Sequence, residues 1–369
     1  MEEIITRESQ SIHGAFDYSE LERLGISPQE LLDFSVNVNP YGPSPRVREA
    51  LGKAVIECYP DRACLELRRT IMEYELSPGM LELDALVCGN GTAELIWAIA
   101  RAYLRPGRKA AILGPTFGEY RAASQAVGAD IVEFQAVANT HFSLDIPAIV
   151  ACLHEEKPAL VWLCNPNNPT GIWLSRPQVE QLAETCRQIE ALLVIDEAYW
   201  HFLFPGEPFS ALELLASAQK MPLVVLRSLT KDFALAGLRL GYAATSSPAV
   251  AYQLNAQLPP WNVNEFAQQA GIVALQDRSH LATTLAQLAL ERQAFWHALE
   301  AARLQVLPSR TQFFLIAVGD AATVRQHLLT RRLLVRDCAS FGLPGFIRVA
   351  TRSRNDWQRL LQALREVVI

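Results

Sequence analysis

The middle of the chain alternates between short apolar runs and segments of helical period. Leu86 to Cys88, Ala110 to Leu113, Ile131 to Phe134, Leu160 to Cys164, Leu192 to Ile195 and Leu223 to Leu226 have the length and continuity of buried strands. Between several of them the apolar positions recur every three to four residues, as in Leu95, Ile96, Ile99, Ala100 and Tyr103. Strands alternating with helices predict an α/β unit whose mainly parallel sheet is covered by helices, and residues 50–255 are assigned to it.

The flanks follow other patterns. Beyond residue 265 the chain reads as long helices through LATTLAQLALERQAFWHALEAARL. Strands follow at Phe313 to Val318, Leu333 to Arg336 and Phe346 to Ala350, then a last helix. This predicts a smaller α+β unit over 256–369. Residues 1–49 contain NVNPYGPSP, whose three prolines forbid regular helix, and read as an arm that joins the smaller unit.

In open α/β sheets ligands bind beyond the carboxyl ends of the strands, so the polar residues after each run are the candidates for chemistry. GNGTAE offers Gly91 for close backbone approach and Thr92 to open a helix, an N-terminus suited to phosphate. GPTFGEY follows the next strand. NPNNPTG then aims Asn168 from a turn fixed by two prolines. DEAY puts Asp196 at a strand end, where a carboxylate is costly to bury unless it meets a cation, and Tyr199 three residues on. RSLTKDFALAGLRLGY supplies Ser228, Lys231 and Arg239.

Composition narrows the partners. Half the residues are apolar, and 33 basic against 39 acidic side chains give a formal charge of −6, so no basic surface invites nucleic acid or an anionic membrane. No apolar run reaches the ~20 residues of a bilayer span. MEEIITRESQ lacks the basic region and apolar core of a secretory signal, and a cytoplasmic location is expected. Seven scattered cysteines without a CxxC pair or neighbouring histidines indicate neither a disulfide framework nor a metal site. A small molecule is the expected partner.

One ligand asks for a phosphate cradle, an aromatic stack, a carboxylate for a protonated ring nitrogen and a lysine for an aldehyde together: pyridoxal 5′-phosphate. Through NPNNPTG, DEAY, SLTK and LRLGY, in order and approximate spacing, essentially the whole chain resembles the fold-type I class I/II aminotransferase family. The resemblance implies that fold and that cofactor. Lys231 is then the covalent attachment point and Asp196 the partner of the ring nitrogen. Asn168 and Tyr199 bond the ring hydroxyl, Phe117 stacks on the ring, and Gly91, Thr92, Ser228 and Arg239 hold the phosphate. It also implies a homodimer in which Tyr59, within YPD, reaches the neighbouring subunit's cofactor phosphate.

Within the family, HGA, LLDFSVNVNPYGPSP, PPWNVNEFAQQAG and RDCASFGLPGFIRVATRS are closer to the subgroup that decarboxylates L-threonine O-3-phosphate than to the subgroup that transaminates histidinol phosphate. The chain departs from the decarboxylase subgroup at Ala15, where HGG is typical, and in a shorter FGLPG loop. The expected substrate is a phosphorylated amino acid bound by Arg348, Arg336, His13 and Asn37. Alternation in LLVRDC and FIRVA projects the two arginines from neighbouring segments, where they would clamp a carboxylate and a phosphate. Arg336 as a solvated edge residue and His13 as a capping group stay open. So do the aminotransferase reading and a non-catalytic, aminotransferase-like domain.

Overall fold

A computed structural model describes residues 14–204, 208–216 and 222–368. Its centre is a seven-stranded sheet made of β2 (Leu86–Asn90), β3 (Lys109–Gly114), β4 (Asp130–Gln135), β5 (Leu160–Cys164), β6 (Leu192–Asp196), β7 (Leu223–Ser228) and β8 (Leu240–Thr245), with β1 (Leu32–Asp33) preceding it in the chain. The spatial order is β2-β8-β7-β6-β5-β3-β4. β4, β3, β5, β6 and β7 run parallel, and β8 enters antiparallel between β7 and β2.

The helices bury both faces. One face packs Leu67, Ile71, Leu182, Cys186 and Leu275 against Val161, Leu193 and Val225, and the other packs Leu95, Ile96, Ile99 and Tyr120 against Ile112, Trp162 and Val194. The central strands are therefore apolar in continuous runs, as in Leu160–Cys164 and Leu192–Ile195, rather than alternating, as their sequences suggest. The first core also takes in Val263, Ala267, Ala270, Ile272 and Leu275. The helix Glu265–Gln276 thus lies against the large sheet, beyond the boundary at 255 expected from the sequence.

A second, four-stranded antiparallel sheet comprises β9 (Gln305–Val306), β10 (Phe313–Ala317), β12 (Arg336–Asp337) and β13 (Phe346–Ala350) in the order β12-β13-β10-β9. Phe295, Leu299, Phe314, Ile347, Trp357 and Leu360 form its core. The run expected as one strand from Leu333 to Arg336 is split: β11 (Leu333–Leu334) pairs in parallel with β1 of the arm, and β12 continues in the four-stranded sheet. Among the described residues no helix is long and apolar enough to cross a membrane.

Candidate active site at the mouth of the large sheet

The β2–β8–β7 ladder assembles the first wall. Gly89 and Ser228 both pair with Gly241, and Asn90 pairs with Leu240, so the ends of β2 and β7 are held one strand apart. Gly91 opens the helix Gly91–Tyr103 at φ +76°, and a Cβ there would lie 2.7 Å from an Arg239 guanidinium nitrogen. Gly241 approaches the Thr92 amide so closely that its own Cβ would stand 2.9 Å from that nitrogen. Ser228 is buried and exchanges a hydrogen bond of 2.7 Å with Thr230. Helix-terminal amides, a hydroxyl and a guanidinium thus converge, which is the chemistry of an anion site.

The second wall is carboxylate and ring. Asp196 ends β6 fully buried, accepting from the Tyr120 hydroxyl at 2.8 Å and the Ala198 amide at 3.0 Å. Burial nevertheless drives its carboxyl up to about 6, the mark of an anion that lacks a full counter-charge. Tyr120 stacks on Trp162 at 5.1 Å and meets Phe117 edge-on at 5.7 Å. Thr116, beside Phe117, donates to Asn167 of the NPNNPTG turn at 2.7 Å.

Lys231 follows β7 in a turn whose backbone is pinned from the arm: the Asn39 amide donates to the Lys231 carbonyl at 2.8 Å. Burial, reinforced by Arg239 and Arg348, brings its amine down to about 8, against the opposing attraction of Asp196 and Asp232. An amine that loses its proton near neutrality is a competent nucleophile toward a carbonyl.

Arg348 on β13 donates to the Asn168 Oδ1 and to the Ser35 carbonyl, drawing together the small sheet, the NPNNPTG turn and the arm. Its guanidinium lies over Phe313, which also meets the Tyr199 ring edge-on. Arg336 pairs directly with Arg348 across the β12–β13 ladder, so both project from one face of the sheet. Both are buried, and burial with the neighbouring Arg348 lowers Arg336 to about 10. Arg336 bonds Ser340 at 2.6 Å and lies over Phe341. A cavity of about 540 Å³ lined by Thr116, Phe117, Arg121, Glu133, Ser340 and Phe341 opens beside it.

Several buried polar atoms here have no hydrogen-bond partner: Arg348 Nε, the Gln312 and Thr351 oxygens, and both Nδ2 and Oδ1 of Asn37. The Tyr199 hydroxyl lies near Asn37 without completing a well-aligned bond, and its pKa is pushed up to about 12 by burial. The Lys231 amine faces the cations Arg239 and Arg348 and the carboxylates Asp196 and Asp232, and Arg336 faces Arg348, so the site gathers four cations in a chain whose overall charge is acidic. A ligand with several negative charges and one cationic atom at Asp196 would satisfy this arrangement.

The structure brings together Gly91, Thr92, Phe117, Asn168, Asp196, Tyr199, Ser228, Lys231, Arg239, Arg336, Arg348 and Asn37. Tyr59 is elsewhere: it is 80% exposed and stacked on Trp261 at 4.6 Å. His13 lies outside the described residues. Reasoning from sequence overlooked Tyr120, Ser35 and Asn39. Tyr120 alone left a signal, a tyrosine at a position of helical period inside GEYRAASQ that the packing needs apolar.

The sequence profile described as aminotransferase class I and II matches residues 29–364. Threonine-phosphate decarboxylase of Salmonella typhimurium is 36% identical over 97% of this chain and 97% of its own length. Histidinol-phosphate aminotransferase 1 of Thiobacillus denitrificans is likewise 36% identical, over 95% of this chain and 89% of its own. Among solved structures, histidinol-phosphate aminotransferase from Sinorhizobium meliloti in complex with pyridoxal-5′-phosphate superposes with a TM-score of 0.83 at 22% identity, covering 100% of this chain and 98% of the other.

Proposed function

The chain belongs to the aminotransferase class I and II family, pyridoxal 5′-phosphate enzymes of fold type I, and from that premise we propose that it decarboxylates L-threonine O-3-phosphate to (R)-1-amino-2-propanol O-2-phosphate. The observation that carries this reading is the register pair Arg336–Arg348, two buried guanidiniums side by side on one face of the small sheet. Two fixed forks suit a substrate with both a carboxylate and a phosphate, one bidentate partner for each guanidinium.

The residues present fit the cofactor. Gly91, Thr92, Ser228 and Arg239 would hold its phosphate, Phe117 would stack on its ring, and Asn168 and Tyr199 would bond the ring hydroxyl. Asp196 would supply the anion for the ring nitrogen, and Lys231 would be the attachment point. When bound, the cofactor supplies an electron sink for the bond broken at the substrate's Cα.

Arg348 holds the α-carboxylate and sets the torsion that selects this bond, while Arg336 and Asn37 bind the remote phosphate. After carbon dioxide leaves, the Lys231 amine, poised near neutrality, delivers a proton to Cα. In a homodimer, Tyr59 of each chain completes the partner's phosphate cradle.

Transamination of histidinol phosphate is the second reading, favoured by relatives of that name at 36% and 34% identity. Incubation of the holoenzyme with L-threonine O-3-phosphate and no keto acid separates the two. Carbon dioxide and the phosphorylated amine are expected over many turnovers. Turnover only with histidinol phosphate and 2-oxoglutarate establishes the second reading instead.

A further inference from the structure

Four of the groups assigned to the cofactor have an ionisable residue beside them or two residues on in the chain. Glu197 follows Asp196, Arg227 precedes Ser228, Asp232 follows Lys231, and His201 lies two residues beyond Tyr199. Arg227 and Ser228 point to opposite faces of β7, and the other three residues meet on the Arg227 side, Glu197 directly and His201 with Asp232 through Glu75. There they form one buried network. Arg227 bonds Glu197 at 2.9 Å and Ser210 at 2.9 Å, and its guanidinium lies 4.3 Å over the Trp200 ring. It also approaches Glu75 at 3.7 Å, which meets the Tyr242 hydroxyl at 3.5 Å and the half-exposed Arg278 at 2.5 Å. The imidazole of His201 joins the other end, Nδ1 against the Asp232 carboxylate and Nε2 4.0 Å from Glu75.

Three buried carboxylates are an expensive way to fill a core, because apolar groups of the same volume usually give equal or greater stability. The network reaches the lysine through Asp232. Asp232 is the residue after the lysine, its Oδ1 accepts the Phe233 amide at 2.9 Å, and its carbonyl accepts from Asn39 at 3.0 Å. The turn that carries the amine is thereby held from both sides.

We propose that His201 and Asp232 are positioning residues for Lys231: the imidazole fixes the carboxylate, and the carboxylate fixes the turn from which the amine is presented. The inference rests on the reading of Lys231 as the cofactor's attachment point. Four charged groups act on that amine: Asp196 from β6, Arg239 from the segment before β8, Arg348 from β13 and Asp232 from its own turn. Asp232 and Asp196 favour the protonated amine and the two arginines oppose it, so Asp232 supports the positive form as well as the placement.

The test uses Asp232→Asn and His201→Gln as purified holoenzymes. Three quantities are measured: the pH midpoint of the visible absorbance of lysine-bound cofactor, kcat and KM on whichever substrate the wild type turns over, and the melting temperature. Asp232→Asn is expected to lower the midpoint by about one unit. Both variants are expected to lose about 10- to 100-fold in kcat with KM little changed, since displacement of a reacting group costs rate before affinity. A purely structural role would lower the melting temperature and leave midpoint and kcat at wild-type values. That result, in either variant that folds, overturns the pair. A wild type without a visible band that Lys231→Ala abolishes overturns the cofactor reading, and the positioning role with it.

Discussion

At the scale of single residues the site is a set of charges held where water would not leave them. Asp196 has its carboxyl raised to about 6 from an ordinary value near 4, so the folded, cofactor-free chain binds this proton more tightly than the unfolded chain does. Its contribution to stability is therefore present at low pH and is lost as pH rises from about 4 through about 6, a loss of the order of 3 kcal/mol. Melting curves of the cofactor-free protein across that window should decline more steeply than those of Asp196→Asn, and parallel curves would remove Asp196 from the account. The two arginines should fail differently. Losing a charge-assisted contact to phosphate costs about 1.5–3 kcal/mol, so Arg336→Ala should weaken phosphothreonine sharply and hardly alter the poor activity on threonine. Arg348→Ala should lower turnover at saturating substrate, because a misplaced carboxylate costs rate as well as affinity. Equal impairment of both substrates in Arg336→Ala would make that residue a structural member of β12.

At the scale of elements, the strands of the large sheet were legible because burial on both faces leaves continuous apolar runs that no amphipathic helix shows. β8 was not. LRLGYAAT begins with a site motif and carries Gly241, and its place between β7 and β2 depends on long-range pairing that leaves no local trace. The break between β11 and β12 was equally hidden, since one apolar run feeds two sheets. The loops carrying Asn168, Asp196 and Lys231 could be read because each follows a recognisable strand, whereas Ser35 and Asn39 act through backbone and amide groups that many sequences could supply. Glycine at 91 follows from both φ and space. Gly91→Ala would strain a left-handed position by about 1 kcal/mol and push Arg239 off the anion site. Cofactor affinity measured by titration should fall at least about tenfold, while the melting temperature of the cofactor-free protein changes little. Unchanged affinity would mean that Arg239 does not serve the phosphate.

At the scale of the whole molecule, Tyr59 and Trp261 form an exposed aromatic stack, with Ile56 also exposed nearby in sequence, on a surface that a monomer has no reason to keep apolar. The proposed homodimer gives the stack an occupant. Sedimentation should return twice the chain mass, and Tyr59→Phe should weaken cofactor binding without altering that mass. Activity fully retained in a dilute monomer would oppose the shared site. The arm links these scales. Residues 32–41 pair with β11 at Leu32 and Asp33, receive Arg348 at Ser35, and reach the Lys231 carbonyl from Asn39. Mechanically this is a short tether with one end on the small sheet and the other on the lysine turn, and so little slack that the two ends cannot move independently. The guanidinium of Arg348 and the backbone of the amine's own turn thus hang on one short stretch of chain, and a substitution that shifts the one is expected to shift the other.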